Sequence, residues 1–426
     1  MAVVAAAVAA LLAAPAAASA LNPVTFSQVG NLTTPREYPG AARLPDGRVL
    51  VVGGYDSNQV GVARYLSSAE IFDPKTNGFT ALGVSSSSRR YAPAMATLPD
   101  GRVLIAGGYD GTDDITSAEV YNPSSGTFSS VGSLGTSREE AAAALLPDGR
   151  VLVMGGYSDA ATTHTLNTTE IFDPTTNSFS PGPMLPYATY GPAAATISGG
   201  RTLIAGGYYD PTSTYLAQAF VFTPSGSNFT QVGSLPHPNW SLAGASLPQG
   251  RALVAGGYDD DVGDETAAAL IFDPTTNAFS SAGISPLIHK REEAAAAELN
   301  DGRVLVAAGW ADGDSLKTAE VLSVPSNSFT AKLKGRKVKF SVTTEGVAQV
   351  TDVSTQVATT AKKKKKPKLV KTTSAHGGPG TITVKIKLSK QGSAKLREKG
   401  KLKVRVVYTP DQGLSATKKL KLRAGK

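Results

Sequence analysis

Tyr187, Tyr190, Tyr215, His237 and Trp240 stand out because they interrupt a repeating sequence at positions where the other copies do not carry them. Phenols, an imidazole and an indole grouped on one surface suit a polyhydroxyl ligand that both stacks and hydrogen-bonds. Arg90, Arg138 and Arg291 form a second set of candidate ligand contacts. They recur, however, in step with Glu70, Glu119, Glu170 and Glu320, which equally fits structural ion pairs. A candidate metal set is Asp259, Asp261 and Asp264 in "DDDVGDE", which offers the oxygen ligands that Ca²⁺ prefers. The spacing is not that of a D-x-[DN]-x-[DN]-G loop, so a solvated acidic loop is the alternative.

Several chemistries are excluded at the outset. The 426 residues include no cysteine, which removes disulfides, thiolate metal sites and cysteine nucleophiles. Paired carboxylates could serve a glycosidase, but acidic residues are so common in the loops that only distances can decide.

Such side chains need a scaffold, and the sequence supplies one. "LPDGRVLVVGGYD" at 44–56 returns about every fifty residues, near 98, 146, 197, 247 and 299, giving six copies. Each copy reads as four short strands: a turn with Asp-Gly or a similar pair, an apolar strand ending in Gly-Gly, an "AEVYNP"-type strand with its own turn, and a fourth strand. One such sheet cannot bury two apolar faces alone, so the copies must pack on one another, as in a propeller. Strands running antiparallel from A to D place the A–B and C–D turns on one face. The variable B–C loops and D–A connections fall on the other, where binding is expected.

Gly-Gly-Tyr after an apolar strand, the following "AE(I/V)(F/Y)(D/N)P" strand, Phe79, Phe128, Phe179, Phe229 and Phe279 after the next turn, and a leading Arg36, Arg90, Arg138 or Arg291 recur together. Over residues 25–330 this combination resembles the kelch repeat. It departs in carrying Phe where Trp is common, in Ala308-Gly309 replacing the glycine pair, and in lacking the leading Arg before the fourth and fifth copies. The resemblance implies an all-β chain whose residues 21–330 are a six-bladed kelch propeller. "TFSQVGNL" beginning at Thr25 matches a fourth strand, so residues 25–31 are expected to close the last blade, with Phe329 as the rival for that slot. Galactose-oxidase-like copper enzymes are among the relatives this implies. Their site needs a cysteine-linked Tyr and two His, whereas this chain has no cysteine and only His164, His237, His289 and His376. Copper is therefore not expected; apart from Ca²⁺, no cofactor is.

Residues 1–20 are uncharged after Met1 and end on Ala18-Ser19-Ala20, the small-x-small pattern of a cleaved signal peptide. The apolar stretch before Pro15 is about fourteen residues, short of the ~20 that span a bilayer. Residues 331–426 carry 26 Lys plus Arg against 4 Asp plus Glu, a charge of +22 in a chain of net +8. Alternating segments such as "TITVKIKLS" and "KLKVRVVYT" make this part a basic, immunoglobulin-like β-sandwich, with "KQGSAKLREKG" as a short helix and "AKKKKKPK" as a solvated loop. The expectation is a secreted or cell-surface binding or adhesion module that recognises carbohydrate or protein through one propeller face. The basic domain would meet anionic envelope polymers, whereas nucleic acid is disfavoured because no aromatics interleave the lysines. The alternative is a polysaccharide hydrolase or lyase using carboxylates on the same face.

Overall fold

The computed structural model describes residues 24–323 and, beyond them, the backbone of seven strands between 328 and 423. Six four-stranded antiparallel sheets, the blades, are built from the six repeats. Blade one comprises strands A (Gly40–Arg43), B (Val49–Val52), C (Ala69–Asp73) and D (Gly78–Ala81). Blade two follows at Ala94–Thr97, Val103–Ala106, Ala118–Asn122 and Thr127–Ser130. The A strands neighbour one another in a closed ring around a channel.

Strand composition follows position. The B strands are apolar and fully buried because blades cover both their faces. The A strands alternate buried and half-buried residues where six strands converge; Ala or Gly at five of the six inner positions sits beside Met95, Arg43, Leu145 and Glu298. This leaves a channel of about 560 Å³ lined by strand A residues of all six blades. On the outer side an aromatic pair joins strands C and D: Phe72–Phe79, Tyr121–Phe128, Phe172–Phe179, Phe222–Phe229 and Phe272–Phe279, with centroids 4.9–5.0 Å apart.

The ring is closed by the N-terminal strand Phe26–Gln28, which pairs with strand C of blade six, Ala319–Leu322. Phe26 lies opposite Leu322, the counterpart of the aromatic pairs elsewhere. Phe329, its rival, falls instead on the strand Ser328–Lys334, which pairs with Lys337–Thr344. Those two strands and Gly380–Lys387 make a three-stranded antiparallel sheet. Ala375–Gly377, Ala348–Ser354, Lys401–Pro410 and Ala416–Arg423 make a four-stranded one. The five strands expected from alternation are thus present, and Ser328–Lys334 and Ala375–Gly377 join them. The expected signal peptide, the helix at 390–400 and the lysine run at 361–368 lie outside the described residues. No helix among the described residues is long and apolar enough to cross a membrane.

Contacts between blades confirm the sidedness of the turns. The A–B turn arginine of one blade reaches the C–D turn of another: Arg102 bonds the Pro174 carbonyl and Asn177, and Arg303 the Pro74 carbonyl. The opposite face therefore carries all the variable connections.

Candidate functional site

Two backbone rings build the mouth of the channel on that variable face. In the first, the second residue of each Gly-Gly pair donates its N–H to the following blade's leading residue. Gly54 bonds the Arg90 carbonyl, Gly108 Arg138, Gly156 Thr189, Gly207 Asn239, Gly257 Arg291 and Gly309 Arg36, at 2.8–2.9 Å. The approach is too close for side chains: a Cβ on Gly53, at φ +71°, would run into the Arg90 carbonyl. Blade six puts Ala308 in the same left-handed conformation, at φ +64°.

The second ring lies two residues after each leading position: Tyr38, Ala92, Glu140, Gly191, Ser241 and Glu293. All six have positive φ, between 48° and 63°. Each donates its N–H to the carbonyl of its counterpart in the preceding blade, at 2.9–3.2 Å, and Tyr38 closes the circle on Glu293. Only one of the six is glycine. A tyrosine held in the left-handed region is strained, and strain of this kind collects at functional sites.

Side chains from this ring and its neighbours crowd the mouth around a cavity of about 120 Å³. The buried Tyr38 ring lies 4.5 Å from Tyr91 and 6.3 Å from Trp240, between centroids. Trp240 in turn meets Tyr190 at 5.9 Å and Tyr208 at 6.1 Å. Its indole N–H donates to Glu140 Oε2 over 3.1 Å. Tyr38, Glu140 and Glu293 line the cavity together.

The surroundings favour the protonated form of the carboxyls here. Burial, reinforced by neighbouring carboxylates, raises Glu139 to about 9, Glu140 to about 8 and Glu292 to about 7, and lifts Glu293 well above the ordinary range. Glu37 is raised in the same direction by burial, against its hydrogen bond with Ser315. Carboxyls in this state both donate and accept hydrogen bonds, and aromatic rings stand beside them.

The arginines expected at a ligand are not there. Arg90, Arg138 and Arg291 are 0–1% exposed and point into their own blades. Arg90 Nη1 donates to the Gly107 and Ser117 carbonyls at 2.7 and 2.9 Å, and Nη2 pairs with Glu119 at 2.8 Å. Arg36–Glu70, Arg138–Glu170 and Arg291–Glu320 repeat the arrangement at 2.9 Å. The glutamates also accept backbone N–H groups of the D–A connection, as Glu70 does from Thr33 and Thr34. These are anchors of the scaffold, and burial withholds them from any ligand.

Blades four and five lack both members of the pair, since Thr189 and Asn239 replace the Arg and Phe220 and Leu270 replace the Glu. The joint loss makes physical sense because either charge left alone would be buried unpaired. Tyr187, expected at a ligand, fills the vacated place in blade four. Its hydroxyl lies 3.4 Å from the Gly206 carbonyl and its ring packs on Phe220 at 5.1 Å.

Of the remaining expected residues, Tyr190 and Trp240 do meet at the mouth. Tyr215 stands farther out, beside Tyr208 at 5.0 Å and stacked on Tyr258 at 5.4 Å. His237 is also outside the mouth, bonded to Asp261 at 2.7 Å with Asp259 at 4.0 Å. These three form the one group of metal-ligand type found among the described residues. Asp264, expected in the Ca²⁺ set, is instead bound by Lys290, which also bridges Glu265 and Asp312, each at 2.9 Å. Tyr38, Tyr91, Tyr208, Glu140 and Glu293 were not anticipated. Their shared trait in the sequence is a fixed offset from the leading arginine or the glycine pair.

Comparison with known proteins agrees with this architecture. Residues 39–82, 90–135 and 141–186 match the Kelch motif, covering the first three blades. A stretch of 106 residues, 24% of this chain, is 31% identical to Spermatocyte protein spe-26 of Caenorhabditis elegans, of which it spans 18%. The solved structure of YjhT superposes with a TM-score of 0.55 at 14% identity, covering 73% of this chain and 99% of that one. Repeats, blades and motif matches converge: the chain carries a six-bladed β-propeller whose first three blades match the Kelch motif.

Proposed function

We propose that the protein is a secreted or cell-surface binding module whose propeller mouth recognises a carbohydrate. The observation that carries this reading is the aromatic cluster of Trp240, Tyr38, Tyr91 and Tyr190 at the mouth, with Trp240 bonded to Glu140, beside a small cavity lined by Tyr38, Glu140 and Glu293. Aromatic rings offer faces and edges to the C–H side of a sugar, and carboxyls that donate and accept fit neighbouring hydroxyls. The kelch propeller supports a binding role more broadly, so a protein ligand at the same face is an outcome of the test. A glycan array probed with the full chain identifies the ligand, and Trp240→Ala and Glu140→Ala should each abolish the positive spots. Binding that survives both substitutions places the ligand elsewhere.

A second reading, a polysaccharide hydrolase or lyase, is favoured by one feature: Glu140, raised to about 8, could act as general acid in a cluster that includes Glu293. Release of reducing or unsaturated ends from a polysaccharide that binds, lost in Glu140→Gln, would establish it. The basic C-terminal part would hold the protein on anionic envelope polymers through its charge. A Ca²⁺ or other divalent ion, if bound, would engage Asp259 and Asp261 with His237 in place of Asp264.

A further inference from the structure

Blade five contains a cavity of about 300 Å³ at the place where four other blades keep an arginine and blade four keeps Tyr187. It is lined by Leu270, which replaces the glutamate, by Asn239, which replaces the arginine, and by Gly256 and Ala268. Elsewhere the carbonyls matching those last two residues receive a guanidinium. Arg36 bonds the Gly53 and Ser68 carbonyls at 2.7 and 3.1 Å, and Arg138 those of Gly155 and Thr168 at the same distances. Arg291 bonds the Ala308 and Thr318 carbonyls at 2.8 and 3.0 Å. Among the described residues no side chain donates to Gly256 in this way. His237, which holds the position of Tyr187, lines the space but is bonded to Asp261 and does not fill it.

Ser281 and His237 also line the cavity, but the polar atom left without a partner is an acceptor. Asn239 is 7% exposed and its Oδ1 is buried without a hydrogen-bond partner. Such a group is costly unless something donates to it. The Gly256 carbonyl and the Asp259 carboxylate are further acceptors, the latter a negative charge at the wall. Leu235, Leu242, Val254 and Ile284 supply the apolar remainder.

We propose that this cavity is a binding site for a guanidinium group carried on a short apolar stem. The unpartnered Asn239 Oδ1 and the Gly256 carbonyl call for a donor, the apolar walls call for a hydrocarbon stem, and the carbonyl pair repeats the geometry on which the chain seats its own arginines. The site is separate from the mouth and does not depend on the carbohydrate reading. The guanidinium belongs either to a free alkyl or aryl guanidine or to an arginyl side chain of a peptide.

Titration calorimetry and melting curves on the full chain with n-butylguanidinium chloride, against n-butylurea of similar shape, test the assignment. The guanidinium should bind one to one and raise the melting temperature, at least about tenfold more tightly than the urea. Two variants fill the cavity with residues the chain uses elsewhere: Asn239→Arg with Leu270→Glu, and His237→Tyr with Leu270→Phe. Each should remain folded by circular dichroism and lose at least about tenfold in affinity. An acetylated Gly-Arg-Gly amide distinguishes the source: binding with the same sensitivity to filling points to a peptide arginine, and its failure beside butylguanidinium binding points to a small molecule. Absence of saturable butylguanidinium binding, equal binding of the urea, or undiminished binding in whichever filled variant folds overturns the proposal.

Discussion

The indole N–H of Trp240 donates to Glu140 Oε2 across 3.1 Å, joining residues a hundred positions apart over the mouth of the channel. A protonated carboxyl and a carboxylate polarise an indole differently. In a Trp310→Phe background, leaving one tryptophan, the emission of Trp240 should therefore shift as pH passes about 8, where Glu140 ionises. Glu140→Gln should hold the emission constant across that range. A pH-independent spectrum in the parent would show that Glu140 does not titrate there.

The carboxyl cluster also sets a direction for stability. Glu139, Glu140 and Glu292 have folded values of about 9, 8 and 7, against roughly 4.3 in an unfolded chain. Between those limits the folded state binds more protons, so the stabilisation is complete below the unfolded value and is lost as pH rises through the folded ones. The melting temperature should fall from pH 5 to pH 9, with one group contributing at most about 1.4 kcal/mol per pH unit. Replacing the three by Gln should flatten the profile, as calorimetry would show. A melting temperature that rises over this window contradicts protonated carboxyls.

The buried ion pairs should behave as units. Arg138→Ala strands Glu170 without its charge partner and should cost about 3–5 kcal/mol in urea unfolding. Substituting the blade-four solution, Thr136→Tyr with Arg138→Thr and Glu170→Phe, should cost less than the single change. A triple variant weaker than Arg138→Ala would mean that the Tyr187–Phe220 filling does not transfer between blades.

Closure of the ring rests on a short strand. Phe26 is 6% exposed, and Ser27 pairs with Val321. Phe26→Ala should cost about 3–5 kcal/mol as a buried aromatic. Ser27→Pro, which removes a donor and restricts the strand, should lower the melting temperature as well. Deletion of residues 21–37 should have the largest effect, and an unchanged melting temperature would show that blade six does not need this strand.

The charge of the C-terminal part makes a prediction about surfaces. The full chain should be retained on heparin at low salt and released as salt nears ~0.5 M, since exposed charges are screened within about 10 Å at 0.1 M. A chain ending at residue 330 should flow through, and replacing Lys362–Lys366 by Gln should weaken retention of the full chain. Equal retention of the truncated chain would rule out the lysines as the anchor.

Much of the architecture was legible in the order of residues because its causes are local. Asp-Gly turns, Gly-Gly positions needing left-handed backbone and strands with period-two burial recur at a fixed interval, so they report the blades one at a time. The match between "TFSQVGNL" and a fourth strand marked the closing segment for the same reason. The coupled loss of Arg and Glu in blades four and five is also written in the sequence, as two substitutions at fixed offsets. What those offsets lead to was decided only by the ring. Closing six blades brings residue 38 beside residues 91, 140, 240 and 293, with left-handed backbone at 38, 140 and 293. Periodicity carries no information about which side chains meet across an axis, nor about whether Tyr187 or His237 fills the space an arginine leaves. The first turns inward because Phe220 and the Gly206 carbonyl receive it; the second is bonded to Asp261, and a cavity remains beneath Leu270.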